Sequence, residues 1–180
     1  EYDALVKDKF EPILAELQQR CIAENLLQPQ VIYGYFPCSS ENDDVIIFDE
    51  KGAREIERFT FPRQTEGNLR CIADFIAPLA SGKRDVIGMS IVTVGQRATE
   101  ISQHLFESDK YTDYLYFHGL SVETAEALAE YWHKVMRGEL GLAADDAKDI
   151  AALFRQEYRG SRDSFGYPAC PRLDDQAIIW

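Results

Sequence analysis

One short loop near the carboxyl end of the chain combines residue types that suit the recognition of a small charged molecule. It covers residues 158–171 and reads YRGSRDSFGYPACP. Arg162 offers a carboxylate two parallel, charge-assisted hydrogen bonds, which the single ammonium of a lysine does not reproduce. Gly166 and Pro168 can hold main-chain groups in directions that most residues disfavour. The sequence therefore predicts a ligand-binding loop.

A helix over residues 145–158 is predicted to position this loop. Gly160 is a suitable residue for ending it. The helical spacing is carried by the apolar residues Ile150, Leu153 and Phe154.

The first third of the chain predicts one helix followed by three strands. Apolar residues recur at helical spacing over residues 2–24, where Pro12 marks either a start or a kink. Residues 31–36 and 45–48 are rich in β-branched and aromatic types and are separated by a polar run, which is typical of a hairpin. Residues 54–61 are predicted to add a third antiparallel strand.

The middle of the chain predicts a buried strand and two helices. Residues 86–94 form an almost unbroken apolar run, which favours a central strand covered on both faces. Residues 97–106 and a longer stretch ending near Leu140 keep a helical period. The order of elements predicts an α+β fold in one domain, with a largely antiparallel, twisted sheet packed against long helices.

Polar side chains interrupt the apolar segment over residues 62–77. They are predicted to cap the neighbouring elements rather than to carry chemistry. The polar residues concerned are Arg63, Gln64, Arg70 and Asp74.

Composition limits the classes of function. The chain has 180 residues, 46% of them hydrophobic, which is enough for one substantial core. We find no apolar run long enough to cross a bilayer and no signal-peptide pattern, so we expect a soluble, cytoplasmic protein with no membrane partner. The four widely spaced cysteines favour reduced thiols over disulfides or zinc ligands.

Charge argues against binding to nucleic acid. The formal net charge is −12, and Lys and Arg occur only in ones and twos, whereas phosphate neutralisation needs clustered cations. The widely separated histidines His104, His118 and His133 predict no metal site. Cys170 lies between two prolines, which favours a packing role over a nucleophilic one.

The loop also carries a family resemblance. Arg162, Gly166, Tyr167 and Pro168 reproduce the R-x-x-x-G-Y-P signature of the activation domain of cobalamin-dependent methionine synthase, which binds S-adenosylmethionine. Three further blocks are similar to that family in the same order: GYFPCSSENDDVIIF at residues 34–48, FPRQTEGNLRCIADFIAP at 61–78 with SGK at 81–83, and AEALAEYWH at 125–133.

The resemblance implies a function. The domain would bind S-adenosylmethionine and present its methyl group to oxidised cobalamin, while a flavodoxin-like reductase supplies an electron. The cobalamin would be held by a neighbouring domain of the same enzyme. The transfer is a direct displacement, so no catalytic residue is expected. Residues 1–180 would then be one domain of a methyltransferase, and this chain alone would not methylate homocysteine.

The resemblance also assigns site residues. Arg162 would bind the methionyl carboxylate, although fastening its own loop to a neighbouring helix is the alternative. Main-chain groups of Gly166, Tyr167, Pro168 and Ala169 would contact the adenosyl group, with Tyr167 also facing the cobalamin. Glu126 matches a family glutamate near the ligand, with Glu130 a weaker candidate. A solvated helix face is the alternative for Glu126.

Both ends of the chain predict that it is truncated. Glu1 is not an initiator methionine, and the apolar residues 177–180 favour burial against a continuing chain. The family uses an acidic residue upstream and two adjacent tyrosines downstream, so we expect this chain alone to bind S-adenosylmethionine weakly or not at all. The other functions that stay open are a docking module without a small-molecule site and a stand-alone reactivator of another corrinoid enzyme.

Overall fold

The computed structural model describes residue 4 and residues 6–179. These residues cluster into two compact units. The first comprises residue 4 and residues 6–32 and 91–135, and the second comprises residues 33–90 and 136–179. The predicted helix start at Tyr2 and the terminal Trp180 lie outside the described residues.

Three helices account for most of the first unit's sequence. A π-helical turn at Val6–Phe10 leads into helix α1, Glu11–Ala23, and Pro12 lies in the first turn of α1. Helix α2 spans Gln96–Glu107, and helix α3 spans Tyr111–Glu139. The predicted helices in these three regions are confirmed.

Four strands form one sheet. Strand β1 spans Gln30–Glu41, β2 Asp44–Phe48, β3 Glu55–Thr60 and β4 Asp85–Thr93, in the spatial order β3-β2-β1-β4. Strands β1 and β2 form an antiparallel hairpin in which Glu41 pairs with Asp44. Asn42, with φ of 54°, supplies the left-handed backbone of the intervening turn.

The predicted hairpin and the predicted third antiparallel strand are both confirmed. Strand β3 pairs antiparallel with β2, with Asp44 opposite Thr60. The α+β class with a largely antiparallel sheet is confirmed as well.

The prediction that residues 86–94 form a central strand covered on both faces is wrong. Strand β4 is the last strand in the sheet order, and its residues alternate between half-buried and exposed, with Val86 46% exposed. The doubly covered strand is β2, in which Val45, Ile46, Ile47 and Phe48 are all buried. Both segments are apolar, so composition alone does not distinguish them.

The predicted helix over residues 145–158 is much shorter than expected. Helix α4 spans only Ile150–Phe154, and Asp149 caps it by accepting a hydrogen bond from the Ala152 amide at 3.1 Å. The chain turns at Gln156, where φ is 62°, so Gly160 is not the residue that ends the helix. The apolar spacing indicated a longer helix with a buried face, but Phe154, one of the residues that carry this spacing, is 82% exposed.

The remaining helices are short. Helix α5 spans Gln176–Ile179. Single 3₁₀ turns occur at Ile72–Phe75, Leu79–Ser81, Ala143–Asp145 and Leu173–Asp175. None of the described helices is both long enough and apolar enough to cross a bilayer.

The polar residues of segment 62–77 cap and brace their neighbours, as predicted. The carboxylate of Asp74 accepts a hydrogen bond from the Cys71 amide at 2.9 Å, which closes the 3₁₀ turn. The guanidinium of Arg63 lies 2.7 Å from both Asp43 and Asp74, so it joins the hairpin turn to this segment. The amide of Arg70 donates to the side chain of Gln64.

Each unit has its own apolar core. The first unit's core contains Cys21, Leu26, Ala98 and Phe117. The second unit's core lies against the sheet and also receives a residue of the predicted ligand loop, Cys170. Its buried members are Cys38, Val45, Ile47, Phe59, Phe61, Cys71, Ala73 and Cys170.

Candidate functional site

Two residues anchor the loop over residues 158–171 in the second unit's core. Cys170 is only 3% exposed. The ring of Phe165 packs against the same core, with its centroid 6.3 Å from that of Phe59 on β3. Because Cys170 is buried and Phe165 is partly buried on either side of the G-Y-P turn, that turn is held at the surface.

A small set of hydrogen bonds closes the turn from within. The carbonyl oxygen of Ser164 accepts from the Tyr167 amide at 3.2 Å and from the Cys170 thiol at 2.9 Å. The Gly166 amide donates to the Cys170 carbonyl at 2.9 Å, and the Cys170 amide donates to the Tyr167 carbonyl at 3.0 Å. Gly166, Tyr167 and Pro168 are exposed. The turn therefore has an exposed rim, formed by Gly166, Tyr167 and Pro168, above a base that the hydrogen bonds of Ser164 and Cys170 close.

The rim offers polar main-chain groups beside an aromatic ring. Among the described residues, the carbonyls of Gly166, Pro168 and Ala169 accept no hydrogen bond from a main-chain amide. The ring of Tyr167 is 59% exposed. A ligand with hydrogen-bond donors and a flat apolar surface would match this arrangement.

Gly166 has the unusual backbone conformation that the sequence predicted for it. Its φ is 93°, a region that residues with a Cβ rarely adopt. A Cβ atom at this position would lie 2.9 Å from Cδ2 of Leu173. The turn therefore requires glycine here for both conformation and space.

Arg162 is half-buried, and its Nη1 donates to the hydroxyl of Ser164 at 2.9 Å. Ser164 thus contacts the guanidinium through its side chain and the turn through its carbonyl. The sequence did not point to Ser164, although a serine between the arginine and the glycine is the kind of residue that forms local side-chain hydrogen bonds. The carboxylate-binding role of Arg162 stays a prediction.

The beginning of the loop rests on a buried cation. The guanidinium of Arg137, in the last turn of α3, lies 4.0 Å from the ring centroid of Tyr158. Its Nη2 also lies 2.8 Å from the carboxylate of Asp146. The helical pattern of α3 did not reveal that Arg137 is a buried partner of the loop, because the two are distant in sequence.

Glu126 and Glu130 lie on α3 within the first unit and are exposed, whereas the loop belongs to the second unit. The roles predicted for them near the ligand stay predictions.

The thiols are poorly suited to nucleophilic chemistry. Burial raises the pKa of Cys170 to about 11, and the nearby carboxylates of Asp163 and Asp175 add to the shift. Burial also raises the pKa of Cys38 to about 12. All four cysteines are buried free thiols. In the described part of the chain, no three His, Cys, Asp or Glu side chains are grouped so as to hold a metal ion.

Comparison with known proteins identifies the family. The family model described as the activation domain of vitamin B12-dependent methionine synthase matches residues 10–180. The chain belongs to this family. As a methionine synthase activation domain, it has relatives among curated methionine synthases. The one from Mycobacterium tuberculosis is 41% identical over 189 residues, covering 98% of this chain, and the one from Mycobacterium leprae is 41% identical over 188 residues, covering 97%.

A solved structure supports the same assignment for the fold of the activation domain. The crystal structure of the MetH reactivation domain bound to AdoHcy covers 100% of this chain with a TM-score of 0.86 and 30% sequence identity. The chain spans 57% of that solved chain and 16% of each mycobacterial methionine synthase.

Proposed function

We propose that this activation domain binds S-adenosylmethionine at the loop over residues 158–171 and presents its methyl group for the reductive methylation of oxidised cobalamin. The cobalamin would be held by a neighbouring domain of methionine synthase, and a flavodoxin-like protein would supply the electron. The observation that carries the proposal is the match of the whole chain, at a TM-score of 0.86, to a reactivation domain bound to AdoHcy. AdoHcy is what S-adenosylmethionine becomes when it gives up its methyl group.

The donor set of the loop fits the ligand. The methionyl carboxylate needs a cation, and the planar guanidinium of Arg162 can form two parallel hydrogen bonds with it. Ser164 contributes because its hydroxyl accepts a hydrogen bond from Nη1 of Arg162 at 2.9 Å. This contact already restricts the arginine side chain, so less conformational entropy is lost when the ligand binds. The half-buried setting of Arg162 also strengthens its interaction with an anion relative to a fully solvated arginine.

The exposed rim would contact the adenosyl group. The carbonyls of Gly166, Pro168 and Ala169 can accept hydrogen bonds from the ligand's amino and hydroxyl groups, and the ring of Tyr167 offers an apolar surface. The closed base of the turn keeps these groups in place before the ligand arrives. A preorganised turn loses less conformational entropy on binding than a mobile one.

The role of the domain in the reaction would be orientation. When the neighbouring domain is present, its cobalamin would supply the acceptor for the sulfonium methyl group. Such a displacement needs the methyl group held in line with its acceptor, an effect that can contribute a large part of a rate enhancement. It needs no proton transfer from the protein. We assign no catalytic residue, and Glu126 and Glu130 remain candidates for stabilising the sulfonium.

Titration calorimetry with AdoHcy and S-adenosylmethionine tests the proposal. The assay uses a longer chain that includes the flanking acidic residue and the two tyrosines named above. In that chain the wild type is expected to bind, and Arg162→Ala is expected to raise Kd at least about tenfold, because a charge-assisted pair to a carboxylate is lost. Arg162→Lys should recover only part of the affinity, since a lysine cannot form the two parallel bonds. Arg159→Ala, an exposed arginine of the same loop, is the matched control and should bind as the wild type does.

Two results would contradict the proposal. Equal affinity in the wild type and Arg162→Ala would remove the arginine from the site. The lack of any saturation-transfer NMR signal from either ligand with the longer wild-type chain would instead favour a docking module that recognises the cobalamin domain or the reductase without a small-molecule site.

A further inference from the structure

We propose that Arg137 is a positioning residue for the ligand loop, acting through Tyr158. This inference rests on the proposed function, because it concerns how the loop over residues 158–171 is held ready for S-adenosylmethionine. Arg137 itself would not touch the ligand. It would fix the residue from which the loop departs, four positions before Arg162.

Arg137 makes a buried ion pair. Its Nη2 lies 2.8 Å and its Nε 3.3 Å from the carboxylate oxygens of Asp146, and the two side chains are 5% and 11% exposed. The two contacts define the plane of the guanidinium. A buried charge without its partner is strongly destabilising, so this pair has little freedom to separate.

The same guanidinium lies over the ring of Tyr158, 4.0 Å from its centroid. A planar cation stacked on an aromatic ring fixes the ring from one face, and it does so more strongly when the cation is desolvated. Arg137 therefore contacts both Asp146 and Tyr158, the residues on either side of α4. The Ala147 amide donates to the Glu157 carbonyl at 3.0 Å and ties the same two ends together.

Helix α4 itself contributes little to holding the loop. Its larger apolar side chains Ile150 and Phe154 are 67% and 82% exposed, and its one buried residue is the small Ala152, so little apolar burial fixes the segment. Arg155 and Glu157 form an ion pair, but their side chains are 63% and 55% exposed, and such pairs contribute little. Arg137 is thus a buried contact at the point where this segment leads into the loop.

The experiment compares ligand affinity with stability in variants of the same longer chain that includes the flanking segments. Tyr158→Leu removes the stacked ring and leaves the buried ion pair intact, so it is less prone to unfold than Arg137→Ala. It is expected to raise the Kd for AdoHcy about tenfold, since small displacements of positioning groups are costly. Arg137→Lys keeps the charge beside Asp146 but loses the planar stack, and it should raise Kd similarly. Tyr158→Phe keeps the ring over the guanidinium and should stay closer to the wild-type Kd than Tyr158→Leu does.

Arg155→Ala is the matched control, because it removes an exposed ion pair from the same segment. It should leave Kd unchanged. A purely stabilising role for Arg137 predicts lower Tm in Arg137→Lys and Tyr158→Leu with wild-type Kd at a temperature where every variant is folded. That result would overturn the proposal while the proposed function stands.

Hydrogen exchange separates the two proposals if no ligand binds. Tyr158→Leu should accelerate exchange of the Gly166 and Cys170 amides, whose hydrogen bonds close the turn, while the amides shared by β2 and β3 keep their wild-type rates. If the longer wild-type chain fails to bind AdoHcy, the proposed function fails, and faster exchange at these two amides still supports the positioning role. Unchanged exchange at both amides would refute it.

Discussion

The thiol of Cys170 donates to the carbonyl oxygen of Ser164 at 2.9 Å, and this contact joins the buried and exposed halves of the ligand loop. Cys170 belongs to the core that packs against the sheet, whereas Ser164 also contacts the guanidinium of Arg162. The position of the predicted carboxylate-binding group therefore depends on the packing of a core cysteine. A functional loop that is supported from the core is better preorganised than one supported only at the surface.

Replacing Gly166 with alanine is expected to strain the turn. The residue has a φ of 93°, and the new Cβ would meet Leu173 at 2.9 Å. We expect a loss of about 1–2 kcal/mol from the backbone conformation alone, measured as the free energy of unfolding in urea. Gly138→Ala is the control, because Gly138 lies in α3 with an open position for a Cβ, and it should gain up to about 1 kcal/mol. Equal stability of Gly166→Ala and the wild type would mean that the turn relaxes without cost.

The Cys170 thiol should react slowly with alkylating reagents. Its pKa is raised to about 11 by burial, from an ordinary value of 9.0, so at pH 8 the thiolate fraction should be about a hundredfold lower than for a free cysteine. Mass spectrometry of iodoacetamide-labelled peptides measures the rate. The unfolded chain in urea serves as the reference, in which Cys170 should react at the ordinary rate. A native rate equal to the unfolded rate would contradict the buried hydrogen-bonded position.

Acid should weaken the brace between Arg63 and Asp74. The hydrogen bonds from Arg63, followed by that from the Cys71 amide, lower the pKa of Asp74 from 3.8 to about 2. A carboxylate whose folded pKa is depressed stabilises the protein above the unfolded pKa, and this contribution is lost as the pH falls from about 4 to 2. Chemical denaturation measured across that pH range should show that the free energy of unfolding falls less steeply with pH for Asp74→Asn than for the wild type. Since the pair is exposed, we expect a small effect.

Two tyrosines should ionise later than ordinary tyrosines. The hydroxyls of Tyr33 and Tyr35 donate to the carboxylate of Glu139 at 3.0 and 2.5 Å. The hydrogen bond to Glu139 is the main cause that raises the pKa of Tyr33, and burial is the main cause for Tyr35, with the Glu139 hydrogen bond second. This contribution to stability is present below pH 10 and is lost as the pH rises above it.

Ultraviolet titration of the nine tyrosines measures this effect. Part of the absorbance change, from Tyr33 and Tyr35, should occur at higher pH than for ordinary tyrosines. Glu139→Gln should shift this part to lower pH, because the neutral amide removes the charge that opposes ionisation. Tyr35→Phe should remove a portion of this high-pH change. A titration curve unaffected by Glu139→Gln would show that the carboxylate does not control either hydroxyl.

Local chemistry made the hairpin and the turn predictable. The polar run before Val45 and the β-branched residues after it determine a hairpin without reference to distant residues. The left-handed backbone at Gly166 follows from a residue that lacks a Cβ. Both features depend on a few neighbouring residues, which is the information that a single sequence carries.

Features that depend on distant packing were not predictable. The sequences of strands β4 and β2 are both apolar. Only the order of the strands in the sheet determines which of the two is covered on both faces. The role of Arg137 likewise depends on a fold that brings Asp146 and Tyr158 to one guanidinium. An apolar period does not show whether a helix is packed, which is why α4 is shorter than its spacing indicated.

The buried strand β2 is also a potential site of aggregation while the chain is unfolded. Its segment Val45–Phe48 is apolar, uncharged and rich in β-branched residues, the composition that promotes intermolecular aggregation when exposed. Acidic residues adjoin it on both sides, with Asp43 and Asp44 before it and Asp49 and Glu50 after it. Such flanking charges act as gatekeepers. In nascent or thermally unfolded chains, they would keep this segment from associating with other copies until β1 and β3 enclose it.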